Sequence, residues 1–348
     1  MKAKVLVTGA GALLGQGVIK SLRLPGPGYH VVAVDPDPRA VGLYWADTSY
    51  LIPSASAPDY LESMHRLLGR ERPDAVLVGT DVELGVFAMH RRELEARYGT
   101  QIVVCPPEAV EVANDKWLTF QFLKAHGFPH PRTALPEDVG ALLDQCGFPL
   151  IVKPRVGGRS IGVHRVSSEH ELNAALRAVD QAVVQECVAS DADEFTSGVL
   201  TTEGRVHAVV TMRRDLKDGN TYRAYVEPET PFDGFLATVA SALRGHGSVN
   251  FQFRVDKGVP KIFEINARFS GTTPLRAYSG FNEVDYLLRY LLAGEPIPSP
   301  SLRRVTVLRY WDEIVVEPEQ VGAMSKATPR HAPAFERPFV APRREDDR

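Results

Sequence analysis

The chain opens with short apolar runs separated by longer stretches of mixed character. KVLVT (4–8), HVVAVD (from Tyr29 or His30 to Asp35), DAVLVGT (74–80) and QIVVC (101–105) are rich in β-branched residues and almost continuously apolar. Between them GVIKSLRL, DYLESMHRLLGRE and ELGVFAMHRRELEARYG carry the apolar spacing of one helix face. Strands buried on both faces and alternating with amphipathic helices predict a doubly wound parallel α/β sheet, which ends near Pro107.

The pattern then changes. NDKWLTFQFLKAHGF predicts a helix capped by Asn114 or Asp115, with Trp117, Phe120 and Leu123 as its apolar stripe and Gly127 closing it. FPLIVKP reads as a strand, RVGGRSIGV as a glycine-rich loop, VSSEHELNAALRAV as a helix capped by Ser167 or Ser168, and QAVVQECV as another strand. From Glu194 to Asn266 the pattern is mostly β: EFTSGVLTT, RVHAVVTMRR, TYRAYVE, one helix (GFLATVASALRG), then VNFQFRVDKGVPKIFEINAR. That last piece predicts a hairpin turning at Asp256-Lys257-Gly258. A helix follows from about Asn282 to Leu292, and the end from about Met324 lacks periodicity, which predicts partial disorder.

Composition narrows the function classes. The 348 residues are 44% hydrophobic, enough for two or three domains, and the net charge of -3 gives no basic excess for nucleic acid or an anionic membrane. Cys105, Cys146 and Cys187 are odd in number and lack metal-ligand spacing, which points to a reducing, cytoplasmic compartment. No apolar run is long enough to span a bilayer, and the one at the N-terminus is too short for a signal peptide.

Three segments carry candidate chemistry. In TGAGALLGQG, Gly9, Gly11 and Gly15 lie between a strand and a helix, with Asp35 ending the next strand. This suits a dinucleotide whose ribose meets Asp35; the alternative is a tight turn without one, since the spacing is G-x-G-x-x-x-G. In LIVKPRVGGRSIGV, Lys153 ends an apolar strand and a loop with Gly157, Gly158, Ser160 and Gly162 follows. Backbone N–H groups of such a loop can cradle phosphate; the alternative is a surface hairpin. In the final hairpin, Asn250, Gln252 and Arg254 alternate with Val249, Phe251, Phe253 and Val255, and Glu264 and Asn266 alternate with Phe263 and Ile265. A carboxylate and an amide oxygen at alternate positions suit Mg²⁺, and Arg268 can share a phosphate with it; the alternative is a solvated strand face.

In order and type, these segments together resemble the ATP-grasp superfamily, in the branch of the carbamoyl phosphate synthetase large subunit and related carboxylate–amine ligases, up to about Gly294. The resemblance implies an α/β domain at 1–107 and an α+β ATP-grasp domain of two subdomains at 108–298, with a lid at about 128–187. C-terminal strands and a tail would occupy 299–348. It implies that Lys116 reaches the α-phosphate and that Lys153 lies near the phosphates, under a lid of Gly157, Gly158, Ser160 and Gly162. Adenine would meet the backbone of Glu186, Cys187 and Val188, and the ribose would meet Glu194. Gln252, Glu264 and Asn266 would hold magnesium, or manganese in its place, and Arg268 would bind phosphate. One departure is Ala267, where the carbamoyl phosphate synthetase has proline.

One such unit, not a tandem pair, suggests a stand-alone ligase similar to the lysine-joining ligase of pyrrolysine biosynthesis. It would activate a small carboxylate with ATP and join it to an amine, with amino-acid-like substrates and a homodimeric state. Asp81 or Glu83 could bind a substrate ammonium, or Asp81 could cap a helix with Glu83 in its first turn. Arg213, Arg214 and Arg223 could clamp a substrate carboxylate or form a solvated basic face. His164, His207 and His246 have no ligand spacing and are expected to be surface or buried structural residues. Two other classes stay open: an NAD(P)-dependent oxidoreductase on the first domain, and a non-catalytic ATP-binding sensor.

Overall fold

The computed structural model describes residues 2–24, 28–188, 194–325 and 330–331. Most of the segment after Met324, where the sequence predicts partial disorder, lies outside the described residues. The first part of the chain alternates as its pattern predicts, with α2 and β3 as additions that the pattern does not assign: β1 (Lys4–Val7), α1 (Leu13–Arg23), β2 (His30–Asp35), α2 (Val41–Trp45), β3 (Thr48–Leu51), α3 (Tyr60–Glu71), β4 (Ala75–Leu77), α4 (Asp81–Tyr98) and β5 (Gln101–Val103). These strands pair in parallel in the order β3-β2-β1-β4-β5. Val5, Leu6 and Val7 are fully buried, as a strand covered on both faces requires. The order reverses between β1 and β4, so the segments after these two strands meet at the switch point where such sheets place ligands. Glycine makes that meeting feasible. A Cβ on Gly15 would lie 2.2 Å from the Gly9 carbonyl oxygen, and one on Gly79 2.0 Å from that of Thr8.

Next come α5 (Pro107–Asn114) and α6 (Lys116–Ala125), then β6 (Thr133–Ala134), α7 (Val139–Cys146), β7 (Leu150–Pro154), β8 (His164–Val166), α8 (Glu169–Ala178) and β9 (Ala182–Glu186). The four strands form a small antiparallel sheet, β6-β9-β7-β8, with its own apolar cluster around Leu150, Val152, Leu172 and Val184. Of the candidate caps, Asp115 accepts N–H groups at the start of α6 and Ser168 at the start of α8.

The third sheet contains β10 (Glu194–Thr202), β11 (Arg205–Lys217), β12 (Asn220–Val226), β13 (Gly247–Asp256), β14 (Val259–Asn266) and β15 (Val305–Leu308), with α9 (Asp233–Ala242) between β12 and β13. Its order is β14-β13-β10-β11-β12-β15, antiparallel throughout. β13 and β14 close in a two-residue loop, Lys257-Gly258, with φ of +50° and +82°, the backbone a primed turn demands. Phe251, Phe253, Ile262 and Ile265 are fully buried and share one apolar cluster with Leu236 and Val239 of α9 and with Leu6 and Val76 of the first sheet.

Here the structure corrects the expected alternation. The register runs Phe253–Ile262 and then Gln252–Glu264, so Phe263 is the extra residue of a β-bulge. Ile262, rather than Phe263, is the core partner of Ile265.

After β14, α10 (Thr273–Ser279) and α11 (Glu283–Ala293) pack on α1. The Asn282 side chain donates to the Ser21 carbonyl at 2.8 Å across this junction. α12 (Pro318–Met324) follows β15, and β16 (Arg330–His331) pairs antiparallel with β3. Among the described residues no helix is long and apolar enough to cross a membrane.

Candidate active site

A cleft separates the small sheet from the exposed face of the β13–β14 hairpin. One wall begins where Asp115 ends α5 and caps α6. Its Oδ1 accepts from the Trp117 N–H at 2.8 Å, and its Oδ2 accepts from Arg155 Nη2 at 2.5 Å. The next residue, Lys116, is tied to the glycine loop: its N–H donates to the Arg155 carbonyl at 2.9 Å and its ammonium to the Gly157 carbonyl at 2.7 Å. Lys153 is the penultimate residue of β7 and points inward, donating to Gln185 Oε1 at 2.8 Å. Both lysines are buried. Burial pulls the Lys116 ammonium below its ordinary range and that of Lys153 down to about 7, and the Glu264 carboxylate opposes the shift in each.

The opposite wall is the polar face of the third sheet. Directly opposed pairs Glu194–Arg254 and Gln252–Glu264 put these four side chains on one face. Gln252 Nε2 and Asn266 Nδ2 both donate to Glu264 Oε1, at 3.3 and 3.1 Å. The bulge turns Phe263 toward the cleft, where its ring lies 5.5 Å from the Lys153 ammonium. Glu194 is held by two guanidinium groups. Arg214 donates twice to its Oε1 (3.1 and 2.7 Å) and Arg254 twice to its Oε2 (3.0 and 2.8 Å). Each oxygen therefore already accepts two N–H bonds, so a ribose hydroxyl would have to displace one. Arg214 also donates to Gln252 Oε1 at 2.7 Å, so in this conformation Gln252 orients Glu264 and turns its own oxygen aside.

Glu264 with Asn266, whose Oδ1 already accepts one bond from Arg268 at 2.9 Å, is a hard-oxygen donor set of one carboxylate and one amide, which suits Mg²⁺ shared with phosphates better than a self-sufficient protein cage.

Three family models tile the chain. "PylC-like, N-terminal domain" matches residues 5–103, "D-ala D-ala ligase C-terminus" residues 116–227, and "ATP-grasp in the biosynthetic pathway with Ter operon" residues 179–313. These matches make the chain similar to the ATP-grasp superfamily. Its sequence is 24% identical over 304 residues to the carbamoyl phosphate synthase large chain of Methanothrix thermoacetophila, covering 78% of this chain but only 28% of that protein. Its fold is similar to N5-carboxyaminoimidazole synthetase from Staphylococcus aureus complexed with ADP (TM-score 0.66, 16% identity, 88% of this chain and 81% of that one). It is also similar to L-amino acid ligase from Bacillus licheniformis (TM-score 0.63, 19% identity, 84% of this chain and 74% of that one).

In this cleft the expected residues divide. Lys116, Lys153, Gly157, Gly158, Ser160, Glu186, Cys187, Val188, Glu194, Gln252 and Glu264 line the cleft. Gly162 instead turns back (φ +71°) against Pro154. In the 186–188 stretch, the Glu186 N–H donates to the Arg132 carbonyl at 2.8 Å and the Val188 carbonyl accepts from Arg254 at 3.3 Å. Arg268 lies just beyond Asn266 and is paired with Asp81 of α4.

Asp81 is not the cap: α4 begins at Asp81, with Thr80 in the cap position. Glu83 is buried and accepts from Thr8, Tyr60 and Thr80 hydroxyls at 2.7, 2.6 and 2.5 Å, so it is closed to a substrate ammonium. Burial raises its pKa despite these donors. Of the three candidate arginines only Arg214 reaches the cleft, and there it serves Glu194. Arg213 stacks 3.8 Å above Tyr225, and Arg223 lies 3.6 Å from Asp215. His164 is exposed, His207 bonds Thr202 at 2.6 Å, and His246 is buried 2.9 Å from Glu203.

The dinucleotide alternative loses its anchor. Asp35 is buried and accepts from the N–H groups of Gly11 (2.8 Å) and Asp37 (2.9 Å), closing the glycine turn on itself. Sequence reasoning missed Arg254, Asp115 and Arg155 as organisers of the cleft. The signal was present for Arg254, which shares the polar stripe with Gln252. For Asp115–Arg155 there was none, because the pair spans 40 positions.

Proposed function

We propose that this ATP-grasp protein is an ATP- and Mg²⁺-dependent ligase that activates a small carboxylate as its acyl phosphate and joins it to an amine, with amino-acid-like substrates. A carboxylate lacks a usable leaving group. Phosphorylation supplies one, and most of the protein's task is then positioning and charge neutralisation. The observation that carries the reading is the convergence of Lys116, Lys153 and Glu264 from three separate segments on one cleft. The two lysines would neutralise the phosphates, Arg268 would meet the transferred group, and Glu264 with Asn266 would hold the metal. Bound there, Mg²⁺ or Mn²⁺ would supply Lewis-acid neutralisation of phosphate oxygens. Closure of the glycine loop, the rim of a lid subdomain, would exclude water from an acyl phosphate. Gln252 would join the metal only by turning its amide from Arg214. The chain spans less than a third of the carbamoyl phosphate synthase large chain it matches, so the substrates belong to the proposal. So do a homodimeric state and a cytoplasmic location, the latter fitted by three cysteines without disulfides.

The test is ADP release from Mg-ATP over a panel of amino acids and hydroxy acids, with the joined product identified by mass. Substrate-dependent ADP release with a condensed product supports the ligase. Mg-ATP binding without turnover would leave a sensor, and NADH binding without ATP binding would favour an oxidoreductase.

A further inference from the structure

Arg268 follows the metal-side strand, yet its main partner belongs to the first domain. Its Nε donates to Asp81 Oδ1 at 2.7 Å and its Nη2 to Asp81 Oδ2 at 3.3 Å. Nη2 also donates to Asn266 Oδ1 at 2.9 Å. The guanidinium side chain is 13% exposed and the Asp81 side chain 53%. Asp81 thus occupies the Nε–Nη2 edge and Asn266 the second hydrogen of Nη2, while Nη1 has no hydrogen bond among the described residues and is not sealed in the core. Asp81 is the first residue of α4, fixed by the glycine junction at the switch point of the first sheet. Its charge also reaches Lys116 across the cleft.

The geometry points to Asp81 as a positioning residue for Arg268: it grips the Nε–Nη2 edge of the guanidinium with both carboxylate oxygens and leaves Nη1 for the transferring phosphoryl group. This deepens, and rests on, the ligase reading. A bidentate carboxylate fixes the plane of a guanidinium as a single neutral acceptor cannot. Without Asp81, Asn266 alone would hold Arg268, and the nearest carboxylate along the strand would be Glu264. The guanidinium would then compete for the metal-binding group. On this reading a residue of the first domain takes part in positioning chemistry at the hairpin.

The test is a double-mutant cycle on substrate-dependent ADP release by the full chain, using Asp81→Ala, Arg268→Ala and the pair, with Asp81→Glu as the conservative variant. Asp81→Ala should lower kcat by about 10- to 100-fold, as expected for a displaced catalytic donor, with the KM for ATP changed far less. It should cause no further loss in the Arg268→Ala background, and Asp81→Glu should restore part of the rate. ATP-binding affinity and circular dichroism check that each variant folds. An unchanged kcat in Asp81→Ala, or equal losses in both backgrounds, would overturn the inference. If the wild-type chain releases no ADP with any substrate, the ligase reading itself is what fails.

Discussion

Lys153 and Gln185 stand on neighbouring antiparallel strands, and the buried ammonium donates to the amide oxygen at 2.8 Å. A neutral amide solvates a cation only partly, and burial draws the Lys153 pKa down from 10.5 to about 7. The sign follows directly. Between about 7 and 10.5 the folded chain holds this lysine neutral while the unfolded chain protonates it. The unfolded state therefore binds more protons, and this group's contribution to stability rises with pH across that window. Nucleotide phosphates reverse the balance by favouring the ammonium. ATP binding at about pH 8.5 should therefore take up close to one proton, and affinity should weaken as pH rises above about 7. Calorimetric titration in two buffers of different ionisation enthalpy measures the uptake. The same uptake in Lys153→Met would show that the proton goes elsewhere.

Glu264 is the only carboxylate among the three expected metal positions, and it receives both neighbouring amides on one oxygen. Glu264→Gln keeps the shape and removes the charge. Turnover should fall by about 100-fold or more, the range seen when a preorganised electrostatic group is lost, while the fold persists. Raising the Mg²⁺ concentration should recover part of the loss. Steady-state ADP release against Mg²⁺ tests this, and unchanged turnover would remove Glu264 from the site.

The β11–β12 turn meets the tip of the glycine loop. A Cβ on Gly219 would lie 2.0 Å from the Arg159 carbonyl oxygen, and Gly219 itself has φ +70°. Gly219→Ala should prop the loop away, raising the KM for ATP and increasing ADP release without product. Gly258→Ala is the control: its φ is +82°, but nothing lies within 4 Å of its added Cβ. Both variants carry the backbone cost of a Cβ at positive φ, about 1–2 kcal/mol, and only Gly219→Ala adds the collision. Equal ADP-to-product ratios in the two would dismiss the loop contact.

The parts legible in the sequence are those governed by local rules. Four of the buried strands of the first sheet, the caps to within one residue (Asn114 or Asp115, Ser167 or Ser168), and the Lys257-Gly258 turn each follow from spacing or from a residue type with one conformational use. Phe263 shows the limit. Strict alternation assigns it to the core, but a one-residue bulge reverses its face, and nothing in FEIN announces a bulge. Asp35 shows another. A carboxylate after the second strand reads the same whether it awaits a ribose or closes its own glycine turn, and only the Gly11 hydrogen bond decides. Two-residue strands such as β6 and β16 exist through their partners and leave no periodic trace.

Arg276 extends this to stability. It is fully buried on α10 and paired with Glu283, itself 1% exposed. It also donates to the hydroxyls of Thr272 and Thr273 at 2.9 and 3.0 Å, while its Nε finds no partner among the described residues. The guanidinium lies flat on Gly198 of β10, where an added Cβ would come 2.4 Å from its central carbon. The network thus clamps the turn that carries the chain from β14 into α10, and with it the spacing between Asn266, Arg268 and the third sheet. Arg276→Met would leave the Glu283 carboxylate buried with only hydroxyl donors, and removing one partner of such a pair costs about 3–5 kcal/mol. Changing both, to Arg276→Met with Glu283→Gln, removes the stranded charge and should recover a substantial part of that loss. Gly198→Ala should destabilise through the collision alone, with both charges in place. Urea unfolding midpoints at constant m-value separate the three cases. A double variant no more stable than Arg276→Met would mean that the guanidinium's contacts with the hydroxyls and Gly198, rather than its pairing with Glu283, hold this turn.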